Sequence, residues 1–206
     1  TKISLIPEWE EKLEKLTLHT INENVTNISG VPSWALVFLK YVLDYTGKSN
    51  ILEVWPNLEL FIHGGVSFLP YKKQFEAFIP SPQMRYMETY NASEGFFGIQ
   101  NDPTSNDMLL MLDYGVFYEF VALENLNDEN PKVLTVAEVE LGKNYAILIS
   151  TNSGLWRYMI GDTIYFTSLS PHKFRISGRT KHFINVFGEE VIIDNAEKAL
   201  MAAFDK

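Results

Sequence analysis

The hydrophobic periodicity changes character between the two halves of the chain, and this limits the fold more than any single motif. In the first half, helix-period and strand-period segments alternate. Trp9, Leu13 and Leu16 recur at helical spacing, with Glu and Lys on the opposite face. A second helix is expected to open at Pro32, a good first-turn residue, and to stop at Gly47. Residues 58–63 read as a buried strand running into Gly64-Gly65, 72–78 as a short helix, and 84–90 as a strand ending in Asn91-Ala-Ser-Glu-Gly95. That order predicts a mostly parallel sheet with crossover helices, whose ligands would sit at the carboxyl ends of the strands.

The second half consists of short β-rich runs separated by turn residues, at 109–112, 117–123, 133–140, 145–150, 155–160, 163–167, 173–177 and 182–187. Such spacing predicts an antiparallel meander or small barrel. The expected fold class is therefore α/β, a mostly parallel sheet followed by an antiparallel β-rich subdomain. The expected division is 1–105, 106–180 and 181–206. The last piece opens a helix at the capping box Asp194 to Glu197, the first helix of a truncated C-terminal domain.

Composition narrows the function classes. A net charge of −9 over 206 residues argues against a nucleic-acid footprint, which needs clustered Lys and Arg. It leaves room for a single nucleotide held on backbone N–H groups. Aromatic residues at 14% fit a well-filled interior or stacking surfaces for a flat ligand. Without cysteine there is no disulfide or thiolate chemistry. The longest apolar run, 34–43, includes Lys40 and is too short to span a bilayer. With no signal peptide, the expected setting is cytoplasmic and soluble.

Four loops carry residue types suited to chemistry. In Thr89-Tyr-Asn-Ala-Ser-Glu94, Ser93 can donate to a phosphate, Glu94 is a hard oxygen ligand suited to Mg²⁺, and Tyr90 offers a flat face for a purine. The same pattern also fits a polar turn with a surface glutamate. Gly64-Gly65 allows close approach of a ligand to the backbone, or simply marks a strand-to-helix turn. Asp162, ending Trp156-Arg-Tyr-Met-Ile-Gly-Asp162, can accept both hydroxyls of a ribose, though Gly-Asp is equally a hairpin turn. Arg179 and Lys181 in Ser177-Gly-Arg-Thr-Lys181 can hold ribose or an anionic intermediate, or form a solvated cationic loop. The four histidines lack ligand spacing for zinc, and Ser170-Pro-His-Lys173 sits in a loop unsuited to a nucleophile.

In order, these loops resemble the adenylate-forming superfamily: Gly-Gly, Tyr-x-x-[Ser/Thr]-Glu, a Gly-Asp strand and a Gly-Arg turn. Ile28-Ser-Gly-Val-Pro-Ser-Trp34, Tyr114-Gly-Val-Phe-Tyr-Glu-Phe120 and Leu155-Trp-Arg-Tyr-Met-Ile-Gly-Asp162 narrow it. They resemble the auxin-responsive acyl acid amido synthetases, the Gretchen Hagen family, and within it a bacterial member. The resemblance implies ATP-dependent activation of a small carboxylic acid as acyl-AMP and transfer to an amino acid amine. It implies that Ser93 and Glu94 serve phosphate and Mg²⁺, that Thr89, Tyr90, Asn91 and Ala92 lie against the adenosine, and that Gly64 and Gly65 line the adenine pocket. Asp162 would bind the ribose of ATP or AMP, with Arg179 and Lys181 nearby. The family's Ser/Thr/Gly-rich phosphate loop does not occur in this sequence. The expectation is therefore a central portion of the enzyme, inactive alone. Thioester formation with coenzyme A, or a non-catalytic binding module, are the alternatives.

Overall fold

Pro32 and Gly47 bound the longest helix of the N-terminal half as expected. Proline occupies its first turn, and Gly47 (φ 66°) closes it in the left-handed region, its N–H bonded to the Leu43 carbonyl. The computed structural model describes residues 2–180 together with the strands Phe183–Val186 and Glu189–Ile192. It divides into two compact units, Thr1–Thr89 and Tyr90–Lys206.

The first unit runs α1 (Trp9–Thr20), β1 (Asn27–Gly30), α2 (Pro32–Thr46), β2 (Leu60–His63), α3 (Lys72–Phe78) and β3 (Arg85–Ala92), whose last residues pass into the second unit. β1, β2 and β3 pair in parallel, with Gly30 opposite His63 and His63 opposite Glu88. A helix connects each consecutive pair of strands, which is the crossover arrangement a parallel sheet requires. Leu13 and Thr17, one turn apart, are the buried residues of α1. The core holds Leu39, Val42, Ile51, Trp55, Phe61 and Phe75, with the last two rings stacked at 4.6 Å. Trp55 satisfies its indole N–H on the Thr20 carbonyl at 2.9 Å, as a buried tryptophan must.

The second unit is antiparallel. Its strands are β4 (Gly95–Gln100), β5 (Met108–Leu110), β6 (Val116–Ala122), β7 (Val133–Thr135), β8 (Asn144–Thr151), β9 (Tyr158–Leu169) and β10 (His172–Arg179), in the spatial order β4-β5-β10-β9-β8-β6-β7. β8, β9 and β10 form a meander; the others join it out of sequence order. Phe97, Phe120, Tyr145, Phe166 and Phe174 fill the core. β11 (Phe183–Val186) and β12 (Glu189–Ile192) pair as a separate hairpin. The expected capping box at Asp194 and Glu197 lies outside the described residues.

Three strand expectations are corrected. Residues 155–160 and 163–167 do not form two strands around a Gly161-Asp162 turn; β9 is one continuous strand through that dipeptide. β4 was not anticipated, because Gly95 and Gly98 dilute its strand pattern. At Gly98 the reason is packing, since a Cβ there would lie 2.6 Å from the Phe174 ring. β7 stops at Thr135 rather than 140, because Glu138 turns back to accept from the Thr135 N–H and hydroxyl, both at 2.8 Å.

Candidate functional site

Within the first unit lie the candidates Gly64, Gly65 and Thr89. Gly64 follows β2 directly, and a Cβ built on it would lie 2.4 Å from the Thr89 carbonyl oxygen, a distance no side chain tolerates. Gly65 takes φ +84°, in the left-handed region that favours glycine. Thr89 donates its hydroxyl to the His63 carbonyl at 3.2 Å, fastening β3 to the end of β2. His63 is 3% exposed and stacks on Phe68 with ring centroids 4.3 Å apart. Burial lowers its pKa to about 4, so the ring is neutral, and its Nδ1 has no hydrogen-bond partner among the described residues.

Within the second unit lie the candidates Tyr90, Asn91, Ala92, Ser93, Glu94, Asp162 and Arg179. After Tyr90, Asn91 and Ala92 at the end of β3, the chain reverses through Ser93 and Glu94 into β4. Ala92 packs against the core, Ser93 is exposed and Glu94 is half-buried. Neither Ser93 nor Glu94 makes a side-chain hydrogen bond or ion pair among the described residues. An unpaired carboxylate beside a free hydroxyl fits Mg²⁺, which commonly takes one or two protein carboxylates and completes its shell with phosphate and water. Among the described residues no group of three metal-binding side chains occurs, so Glu94 would act without a protein cage.

Asp162 stands on a β-bulge. Ala146 pairs with Thr163 and Leu148 with Met159, so Ile160, Gly161 and Asp162 oppose the single residue Ile147. Gly161 supplies φ +92° at the bulge, and on the other edge of β9 Asp162 pairs with Arg179 of β10. The Asp162 carboxylate, 20% exposed, accepts the Tyr90 hydroxyl on Oδ2 at 2.6 Å and faces the Arg179 Nε from Oδ1 at 3.1 Å. Tyr90 thus departs from the expectation of an open stacking face. The residue is 7% exposed, and its ring packs against Phe97 and Phe174 with centroids 5.1 and 6.1 Å away. Burial first, and then the neighbouring Asp162 charge, push its pKa well above the ordinary value. The hydroxyl therefore remains a donor. Lys181 lies outside the described residues.

Sequence reasoning missed Glu119. This buried carboxylate receives Arg157 Nε at 2.9 and 3.1 Å and Arg157 Nη2 at 2.6 Å. The bidentate hydrogen bonds hold the Glu119 pKa below the ordinary carboxylate range. Arg157 adopts φ +44°, the only non-glycine with positive φ among the described residues, and the Ser150 hydroxyl accepts its N–H at 3.0 Å. The available signal was a buried-strand glutamate with no partner on its own strand. A shallow groove of about 400 Å³ lies nearby, lined by Val116, Phe117, Ser150, Thr151 and Trp156. None of the residues selected from the sequence lines it.

Comparison with known proteins gives a consistent result. The sequence matches the GH3 family N-terminal domain over residues 2–84 and the GH3 family central domain over residues 109–179. It is 24% identical over 202 residues to the indole-3-acetic acid-amido synthetase GH3.4 of Arabidopsis thaliana, covering 90% of this chain and 33% of that protein. It is 31% identical over 122 residues to the jasmonoyl–L-amino acid synthetase JAR4 of Nicotiana attenuata, covering 55% and 20%. The chain thus spans about a third of the length of GH3.4. The fold matches the solved GH3.15 acyl acid amido synthetase with a TM-score of 0.77 at 17% identity, over 98% of this chain and 46% of that one. A 2-hydroxyisobutyryl-CoA ligase matches at 0.66 with 14% identity, over 93% and 44%. Among the described residues no helix is long and apolar enough to cross a membrane. With both of its matched segments drawn from consecutive domains of one family, the chain belongs to the GH3 family.

Proposed function

We propose that this chain carries the adenosine-binding part of an ATP-dependent acyl acid amido synthetase. The reaction begins when a carboxylate oxygen of the acid attacks the α-phosphorus of ATP, and pyrophosphate leaves. The amine of an amino acid then attacks the acyl carbon, AMP departs, and the amine loses a proton to give the amide. Such chemistry needs positioning and electrostatic stabilisation rather than a covalent protein nucleophile.

Family membership supports this reaction class, and the observation that carries the proposed site is the Asp162 carboxylate, which stands on a bulge beside two partners. In this reading Asp162 accepts the ribose hydroxyls, with Arg179 and Lys181 beside the ribose and phosphate. Ser93 donates to a phosphate oxygen, and Glu94 offers its unpaired carboxylate to Mg²⁺. Bound there, Mg²⁺ would neutralise charge on the phosphates. Asn91 and Ala92 contribute backbone and small side chains toward the adenosine. Tyr90 acts through Asp162 rather than by stacking. The partners are a small carboxylic acid and an amino acid in a cytoplasmic setting.

Calorimetric titration of the chain with AMP tests this reading. Binding is expected, and Asp162→Ala should weaken it at least about tenfold, the loss of a charged hydrogen-bond acceptor. Unchanged binding in that variant would remove Asp162 from the site. For the complete enzyme, amide formation from acid, ATP and amino acid is expected; product only with coenzyme A would replace the amine by a thiol acceptor.

A further inference from the structure

The two oxygens of Asp162 are held from two different strands. Tyr90, from the end of β3, donates to Oδ2 at 2.6 Å, and Arg179, on β10, faces Oδ1 at 3.1 Å. A carboxylate held at one oxygen swings about its terminal torsion; one held at both has a fixed plane. The tyrosine is a rigid donor, since its ring lies between Phe97 and Phe174 inside the core and its raised pKa keeps the proton in place. A carboxylate offers roughly four acceptor positions, of which the Tyr90 hydrogen bond takes one, while Arg179 faces the other oxygen as an ion pair. The bulge at Gly161 leaves the group 20% exposed, so the remaining positions are reachable from solvent.

We propose that Tyr90 is a positioning residue which fixes the plane of the Asp162 carboxylate, so that its unused lone pairs meet a vicinal diol. The network then discriminates a ribose bearing both hydroxyls from one that lacks them. This inference rests on the nucleotide reading given above. Tyr90→Phe removes the donor and keeps the ring, so the packing against Phe97 and Phe174 survives. Arg179 alone then holds the carboxylate, and the diol meets a group free to rotate.

The test compares AMP with 2′,3′-dideoxyadenosine monophosphate, titrated into the wild-type chain, Tyr90→Phe, Asp162→Asn and the double variant. Tyr90→Phe is expected to weaken AMP about fivefold, a modest loss of preorganisation, and to leave the dideoxy nucleotide unchanged. In the Asp162→Asn background it should add nothing, because the two residues act as one unit. Equal weakening of both nucleotides would mean that Tyr90 serves only packing, and no weakening of either would mean that the carboxylate needs no such support. Either result overturns the inference while AMP binding by the wild type keeps the nucleotide reading intact. Absence of AMP binding by the wild type overturns both together.

Discussion

His63 closes β2 inside a shell of aromatic rings, and its neutrality has a measurable consequence. Its folded pKa of about 4 lies below the ordinary 6.5, so between those values the unfolded chain binds a proton that the folded chain refuses. The contribution of this residue to stability should therefore be constant above pH 6.5 and fall as the pH drops toward 4, by at most about 3 kcal/mol. Urea unfolding of His63→Leu across that range should show a flatter profile than wild type; parallel profiles would mean that the ring is protonated in the fold. The neighbouring glycines show how far single residues were legible. Gly64 and Gly65 stood out in the sequence, but the demand on Gly64 comes from the Thr89 carbonyl, 25 positions away, which no local pattern displays. Tyr90 draws attention in the sequence for the flat face of its ring, whereas the structure buries that ring and presents the hydroxyl to Asp162. Whether an aromatic side chain presents its face or its hydroxyl depends on what packs around it, here Phe97 and Phe174.

At the level of elements, periodicity found the helices and most strands because amphipathic segments announce themselves locally. Gly161-Asp162 is a turn signal in isolation, yet the structure carries β9 straight through it. A bulge is a property of two paired strands and appears only when Ile147 is set opposite Ile160, Gly161 and Asp162. β4 is hidden from local pattern for a related reason, as the Phe174 ring that requires Gly98 comes from β10. The start of β9 rests on Arg157, held in an uncommon backbone conformation by Glu119 and Ser150. Arg157→Ala removes the bidentate partner of Glu119 and should lower the midpoint of thermal or urea unfolding. Replacing both residues, as Arg157→Ala with Glu119→Leu, should recover part of that loss, because the stranded carboxylate is gone. If the double variant is no more stable than the single one, the pair does not account for the effect.

For the molecule as a whole, each unit has its own aromatic core, and their tryptophans differ in setting. Trp9, Trp34 and Trp55 belong to the first unit and Trp156 to the second; Trp55 is 1% exposed and Trp156 is 84% exposed. Separate cores predict separable unfolding steps. A red shift of tryptophan emission should follow the first unit, and loss of far-ultraviolet β signal the second. Arg157→Ala should move only the latter, and coincident movement of both would show one cooperative molecule. The family was legible because its motifs keep their order along the chain. Substrates were not legible, since the chain spans about a third of the GH3.4 relative.

The tie between Tyr90 and Asp162 makes the interior of the second unit a mount for one solvent-facing group. Like a lens cell, it sets the aim of what it carries by how firmly it grips. A cavity cut at Phe97 or Phe174, out of reach of any ligand, would loosen that grip and register first as blurred recognition, before the unit begins to melt.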